Sequence, residues 1–452
     1  MSLAARARSW PVGAGPVKVL VIDVERPPLE VSALHPDGGR YAAAWLLLRR
    51  DGRPINLLKV PFAGEDHALS HEQLAAHIES ASADAPMGAR SAAPQSPPRQ
   101  PMISVVVPSK LKRRETLSRC IESLEGLDYP SYELLLVDNR ARDEDGSLEW
   151  LERFPSLRVV RERRPGVSAA RNRGLDAAAG EIVAYIDDDV TVDPGWLRAI
   201  AARFAARPEE ACVTGLILPA ELETPAELRL ERYYDGDGVA PRIFQPVSHR
   251  LEQQARGRGI IRRTSVGAFD DEDRLLRTFS IYAAGRFGTG ANMAFRSTVL
   301  REIGGLDVRL GTGMPATGGD LHVFIRLLWK GHSLGFEPAA LVHHTHYRDE
   351  LSLQKQIEAN GVGATALICA LIEEDPRHIL AMLATLPQAA LSPYVKTLGT
   401  RFWRVTSPAR DTHAGPDAED QIAMSRLTRT ELRGMARGPA AYWRSRRLVS
   451  KW

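Results

Sequence analysis

Between Ile103 and Ile186 the chain alternates short apolar runs with amphipathic ones, and this alternation constrains the fold more than any other feature. Ile103–Pro108 (ISVVVP), Tyr132–Val137 (YELLLV), Leu157–Arg161 and Ile182–Ile186 read as strands. Thr116–Leu124, Gly146–Phe154 and Ser168–Ala179 read as the helices between them. Apolar strands joined by helical crossovers specify a parallel sheet covered on both faces, an α/β fold. Ligands of such sheets bind beyond the carboxyl ends of the strands. That rule selects Pro108 and Ser109, Asp138 and Asn139, and Asp187, Asp188 and Asp189.

A chain of 452 residues exceeds one ordinary core. Residues 1–80 read as a small β-rich domain, with strand-like runs at Val19–Val24, Tyr41–Leu48 and Asn56–Val60. Turn signals stand at Pro36–Gly39 and at Asp51-Gly52, and a short helix is expected over His71–Ser80. Residues 81–101, rich in Ala, Ser and Pro, read as a linker. The α/β domain is expected over 102–348, with a long, irregular, charged insertion at 221–285 that includes the basic Arg256–Arg263. Residues 349–452 are expected to be helical, with a polar break from Ser407 to Asp420.

A net charge of +3 gives no basis for nucleic-acid binding. The three cysteines, Cys120, Cys212 and Cys369, lie far apart without CxxC spacing, so neither a disulfide framework nor a zinc site is expected and a reducing cytoplasm fits. Arg6 and Arg8 are not followed by the apolar run of a signal peptide. The longest apolar run, near Val362–Ile372, falls short of the ~20 residues of a spanning helix. Peripheral contact with the inner face of the plasma membrane, or with a partner, is one of two readings of the C-terminal region. There Arg437, Arg444, Arg446, Arg447 and Lys451, with Tyr442, Trp443 and Trp452, suit an anionic interface. The other reading, slightly preferred, is a solvated helix packed on the α/β domain.

The chemistry concentrates in Tyr185-Ile186-Asp187-Asp188-Asp189-Val190. Adjacent carboxylates repel and raise each other's pKa unless a cation sits among them. A hard divalent ion such as Mg²⁺ or Mn²⁺ suits an all-oxygen cluster and is often shared with substrate phosphates. Such an ion stabilises the charge that grows on a departing nucleoside diphosphate.

Taken in order, the motifs resemble the family 2 glycosyltransferases of GT-A fold. The similarity runs from Ile103 to about Tyr347, roughly half the chain. It is carried by Val105–Pro108, Leu136–Asn139, Pro165–Gly174 (PGVSAARNRG), Ile186–Asp189, Gly288–Arg296 (GTGANMAFR), Gly304–Asp307 (GGLD), Gly319-Asp320 and Glu337-Pro338-Ala339. The resemblance implies an inverting, metal-dependent transfer of a sugar from a nucleotide donor, UDP-linked by default. The hydroxyl acceptor would be a glycan, a lipid-linked glycan or a small molecule.

By resemblance, Pro108 and Ser109 line the base pocket, and Asp138 contacts the uracil or ribose. Arg171 lies near the nucleotide. Asp189 is the leading metal ligand, Asp187 touches ribose or a metal-bound water, and Asp188 exchanges roles with either. His344 completes the metal shell, Gly290 and Asn292 shape the sugar pocket, and Asp320 is the general base. Two departures from the family pattern stand out. Arg140-Ala141-Arg142 replaces the usual small polar run, and Gly319 and His322 flank Asp320 where acidic residues are usual. The absence of a Gln-x-x-Arg-Trp motif implies a single addition rather than polymer synthesis. The rival readings are a sugar-1-phosphate nucleotidyltransferase, which would release pyrophosphate, and a non-catalytic glycan-binding protein of the same fold.

Overall fold

The structure is a computed structural model. It describes residues 15–62, 68–83, 99–140, 147–234, 243–252, 264–313, 317–391 and 416–452. Most of the expected linker, the basic stretch Arg256–Arg263 and residues 407–415 of the polar break lie outside the described residues.

The N-terminal part contains β1 (Val17–Asp23), β2 (Glu30–Ser32), β3 (Ala43–Arg50), β4 (Arg53–Pro61), β5 (Ala68–Ser70) and α1 (His71–Ala83). Strand β3 runs parallel to β1 and antiparallel to β4, and β2 pairs with β5. The Asp51-Gly52 turn signal is the β3–β4 hairpin, where both residues take positive φ. Alternation along β3 sends Ala44, Leu46 and Leu48 to this layer's own core with Ile55, Leu74 and Ile78. Trp45 packs with Leu222 and Leu228, and Leu47 with Leu216, Leu218 and Phe336. The sheet is thus apolar on both faces because its second face lies on the α/β domain. Arg49 clamps that contact by pairing with Asp23 and, at 2.8 Å, with Asp193.

The α/β domain continues with β6 (Ile103–Ser109), α2 (Arg114–Glu125), β7 (Tyr132–Asp138), β8 (Leu157–Arg161), α3 (Val167–Ala177), β9 (Ile182–Tyr185), β10 (Val190–Val192) and α4 (Trp196–Ala206). Then come β11 (Glu210–Pro219), α5 (Pro225–Tyr234), β12 (Val247–Leu251), β13 (Ser265–Phe269), β14 (Leu275–Ser280), β15 (Met293–Arg296), α6 (Ser297–Glu302), α7 (Gly319–Trp329) and β16 (Ser333–His344). Strands β8, β7, β6 and β9 are parallel neighbours. β15 inserts antiparallel between β9 and β11, and β16 runs parallel to β11. In β6, Val105 and Val107 pack against α2 and α4 on one face, while Val106 packs with residues of α3 and α7 on the other.

Two stretches differ from the sequence expectation. Where a helix is predicted over Gly146–Phe154, the described residues from Ser147 onward form a single 3₁₀ turn, Glu149–Leu151. The described part of 221–285, expected to be irregular, contains α5 and an antiparallel β12–β13–β14 meander that extends the main sheet beyond β16. Short strands such as VSHRL and SVGAF are polar enough to read as loop, and cross-strand pairing fixes them.

The C-terminal elements are α8 (Glu350–Glu374), α9 (Arg377–Leu391) and α10 (Pro416–Val449). Helices α8 and α10 run parallel, with Glu358 paired to Arg437 and Glu373 to Arg446. Gly361, Gly434 and Gly438 let the backbones touch: a Cβ on Gly438 would lie 1.9 Å from Thr365 Oγ1. No helix among the described residues is long and apolar enough to cross a membrane.

Candidate active site

The aspartate turn leaves β9 and immediately enters β10. Val190 N–H donates to Asp187 C=O at 3.2 Å, which closes the turn. β10 then pairs antiparallel with the end of β16, setting Val190 opposite His344. Two backbone elements distant in sequence therefore bring Asp189 and His344 together, with Asp189 Oδ1 3.2 Å from His344 Nε2.

Asp187, Asp189 and His344 each offer a ligand atom, and these atoms lie within 4.8 Å of one another. Ligands about 2.1 Å from one octahedral ion sit roughly 3–4 Å apart, so the cluster is of the right size. Asp189 Oδ1 is buried and faces the His344 Nε2 atom, so a carboxylate oxygen and an imidazole nitrogen are turned toward each other where a cation could sit between them. The carboxylate and imidazole donors suit Mn²⁺ or Mg²⁺, so the residues present fit a divalent ion.

Each aspartate has a different environment. Asp187 accepts a 2.8 Å bond from Arg171 Nη2. Asp188 accepts from Ser109 Oγ at 2.6 Å and from Arg113 Nη2 at 3.1 Å. Burial raises its pKa, and its aspartate neighbours add to the rise. Asp189 also accepts from Arg113 Nη2, at 2.8 Å. Burial would lift the Asp189 pKa, but His344 and Arg113 outweigh it and hold the group ionised. His344 shows the reciprocal effect: burial disfavours its charge, and Asp189 overcomes burial to raise its pKa.

Asp320 stands in the first turn of α7, preceded by Gly318 in the left-handed region. Its Oδ2 accepts from Gly290 N–H at 2.7 Å, while Gly290 C=O accepts from Arg171 at 3.1 Å. One glycine thus links Asp320 to the Arg171–Asp187 pair. Any Cβ at Gly290 would meet the Arg171 guanidinium at 2.6 Å.

The remaining expected residues sit as follows. Pro108 and Ser109 end β6 beside Val137 and Asp138 of β7. Asp138 is buried and engaged by Arg140, through its backbone N–H, Nε and Nη2, and by Arg161. Asn292 is buried in packing contacts: it accepts from Trp196 Nε1 and donates to the C=O groups of Leu216 and Ala340. His322 turns inward to Glu374, at 3.3 Å, away from Asp320. His343 lies near Asp193 and Arg49, while His346 pairs with Glu231 at 2.9 Å.

Sequence reasoning missed Arg113, and it selected Asn139 by its place at a strand end without giving it a role. Arg113 is one basic residue among Lys110, Lys112 and Arg114, and its partners lie about 75 residues on. Asn139 fixes the loop after β8 by donating to Glu162 and Arg164 C=O and accepting from Gly166 N–H.

A sheet in this order, with an acidic turn closed against a histidine at its strand ends, is the α/β arrangement expected of a GT-A fold. Residues 104–269 match the family model described as Glycosyl transferase family 2. The chain is 26% identical over 229 residues to the glucosyl-dolichyl phosphate glucuronosyltransferase of Haloferax volcanii, covering 49% of this chain and 59% of that protein. It is 24% identical over 254 residues to the pre-mycofactocin glycosyltransferase of Mycobacterium tuberculosis, covering 56% of this chain and 44% of that protein. The chain thus spans about half the length of these relatives. A solved mannosyltransferase from Pyrobaculum calidifontis, in complex with GDP-Man and Mn²⁺, is 15% identical with a TM-score of 0.45, covering 76% of this chain and 88% of that one.

Proposed function

We propose that this chain transfers a single glycosyl group, with inversion, from a nucleoside-diphosphate sugar to an acceptor hydroxyl. The donor is UDP-linked by default. The acceptor is a glycan, a lipid-linked glycan or a small molecule. The observation that carries this reading is the cluster of Asp187, Asp189 and His344, tied through Arg171 and Gly290 to Asp320.

Asp187, Asp189 and His344 would hold the ion, Mn²⁺ or Mg²⁺. When bound, the ion supplies Lewis-acid stabilisation of the charge on the leaving diphosphate. Arg171 orients Asp187 through their ion pair. Ser109 and Arg113 hold Asp188 at the strand ends. Asp138 keeps the Arg140 and Arg161 guanidinium groups at the nucleoside end.

Asp320 takes the proton from the acceptor hydroxyl as its oxygen bonds to the anomeric carbon. The bond from that carbon to the β-phosphate oxygen breaks in the same step, and the nucleoside diphosphate leaves. The Gly290 N–H and the Leu321 N–H, both donating to Asp320, fix the carboxylate in the helix's first turn.

The test is Asp320→Asn assayed with a panel of nucleotide sugars and Mn²⁺. Turnover should fall by about 10²–10⁴ while nucleotide binding by calorimetry persists. Unchanged turnover in Asp320→Asn removes the base from the mechanism. A product analysis that finds pyrophosphate rather than nucleoside diphosphate replaces transfer with nucleotidyl chemistry.

A further inference from the structure

Arg113 stands in the loop between β6 and α2, and its side chain is 39% exposed. Its Nη2 alone serves both Asp188 Oδ1 and Asp189 Oδ2, at 3.1 and 2.8 Å. The guanidinium lies 5.7 Å from the ring centroid of Tyr347, just beyond the end of β16. Among the described residues, Nη1 and Nε have no hydrogen-bond partner. Arginine is always charged and offers five N–H donors in a rigid fork. Here the two aspartates and the tyrosine aim that fork, and part of it stays available at the mouth of the aspartate turn.

Charge indicates the ligand. With His344 neutral, the form in which an imidazole binds a metal, three carboxylates face two guanidinium groups, Arg171 and Arg113, which leaves one excess negative charge. A divalent ion reverses that excess to one positive charge. A diphosphate linked at both ends carries two negative charges and falls on a positive site. With Arg113 removed, the metal-loaded cluster is only neutral. The same arginine therefore opposes the metal alone and favours the metal together with a diphosphate.

We propose that Arg113 is a donor-binding residue whose guanidinium, held by Asp188, Asp189 and Tyr347, takes the diphosphate of the nucleotide. This inference rests on the nucleotide-sugar reading above. It assigns to Arg113 both a contact and a sign: the residue weakens binding of the bare ion and strengthens binding of the nucleoside diphosphate.

Calorimetry on the full chain tests it, with wild type, Arg113→Gln and Arg113→Lys. Each is titrated first with Mn²⁺ alone, then with UDP and with GDP in saturating Mn²⁺. Arg113→Gln is expected to bind Mn²⁺ at least as tightly as wild type and the preferred nucleoside diphosphate roughly tenfold or more weakly. Arg113→Lys, which keeps the charge but loses the fork, should fall between the two. Nucleotide affinity in Arg113→Gln within threefold of wild type overturns the proposal. Parallel weakening of Mn²⁺ and nucleotide also overturns it, because that is the signature of a merely structural arginine. Should wild type with Mn²⁺ bind neither UDP nor GDP, the nucleotide-sugar reading itself falls, a result separable from failure at Arg113 alone.

Discussion

His249 sits in β12 with its ring edge-on to Phe279 and Phe287, at centroid distances of 5.7 and 5.2 Å. Burial, helped by Arg203, pushes its pKa down to about 3, so it is neutral in the folded protein. The unfolded chain protonates this imidazole below about pH 6.5. Between that value and 3 the unfolded state binds the extra proton, so stability is present above pH 6.5 and is lost as the pH falls. The slope for one such proton is about 1.4 kcal/mol per pH unit. Urea unfolding of His249→Phe between pH 7 and 5 should show a profile flatter by about that slope, and an identical slope would remove the histidine from the account. Residue chemistry near the aspartates was legible because three carboxylates after an apolar strand are a local signal. Arg113 was not, since its meaning lies in partners far along the chain. Asn292 shows the opposite limit: a glycine-rich neighbourhood marks it, yet its amide is spent on Trp196, Leu216 and Ala340.

The parallel pair of α8 and α10 depends on glycines where the backbones meet. A side chain at Gly438 would collide with Thr365 Oγ1 and, at 2.5 Å, with Val362 C=O. Gly438→Val should therefore destabilise the protein by about 1–3 kcal/mol or more through overpacking. Ala440→Leu, at an exposed position of the same helix, should leave the urea midpoint nearly unchanged. Equal midpoints for both variants would show that the crossing carries no stability. The pair also supports the site, because Thr317 donates to Ala359 C=O of α8 three residues before Asp320. At this scale the sequence revealed the elements whose apolar pattern is local: β6, β7, β8 and β9, with α2 and α3. It did not reveal that β15 runs antiparallel between β9 and β11, or that a meander extends the sheet. Those arrangements depend on pairing between distant segments, for which local propensity is silent.

Across the whole molecule, the N-terminal layer is a cover over the far half of the main sheet. Leu47 reaches from it into a cluster with Leu216, Leu218, Phe336 and Leu341. Leu47→Ala should cost about 2–5 kcal/mol, read as a lower urea midpoint. Deleting residues 1–83 should expose that cluster and increase binding of a hydrophobic dye, and a deletion variant with unchanged dye binding and melting would show the cover to be dispensable. The continuous apolar run of β3 was visible in the sequence, but a strand with two apolar faces does not say what lies on the second. The pairing of β10 with β16 has its own consequence. Val190 faces His344 and Thr191 faces His343 across it, and neighbouring side chains of a strand point to opposite faces. Deleting a single residue of β16 ahead of the histidines, such as Leu341, would shift that register and turn the imidazoles over, presenting a different histidine, or none, to Asp189. The spacing of the candidate metal ligands is therefore written in a count of backbone positions as much as in the identity of their side chains.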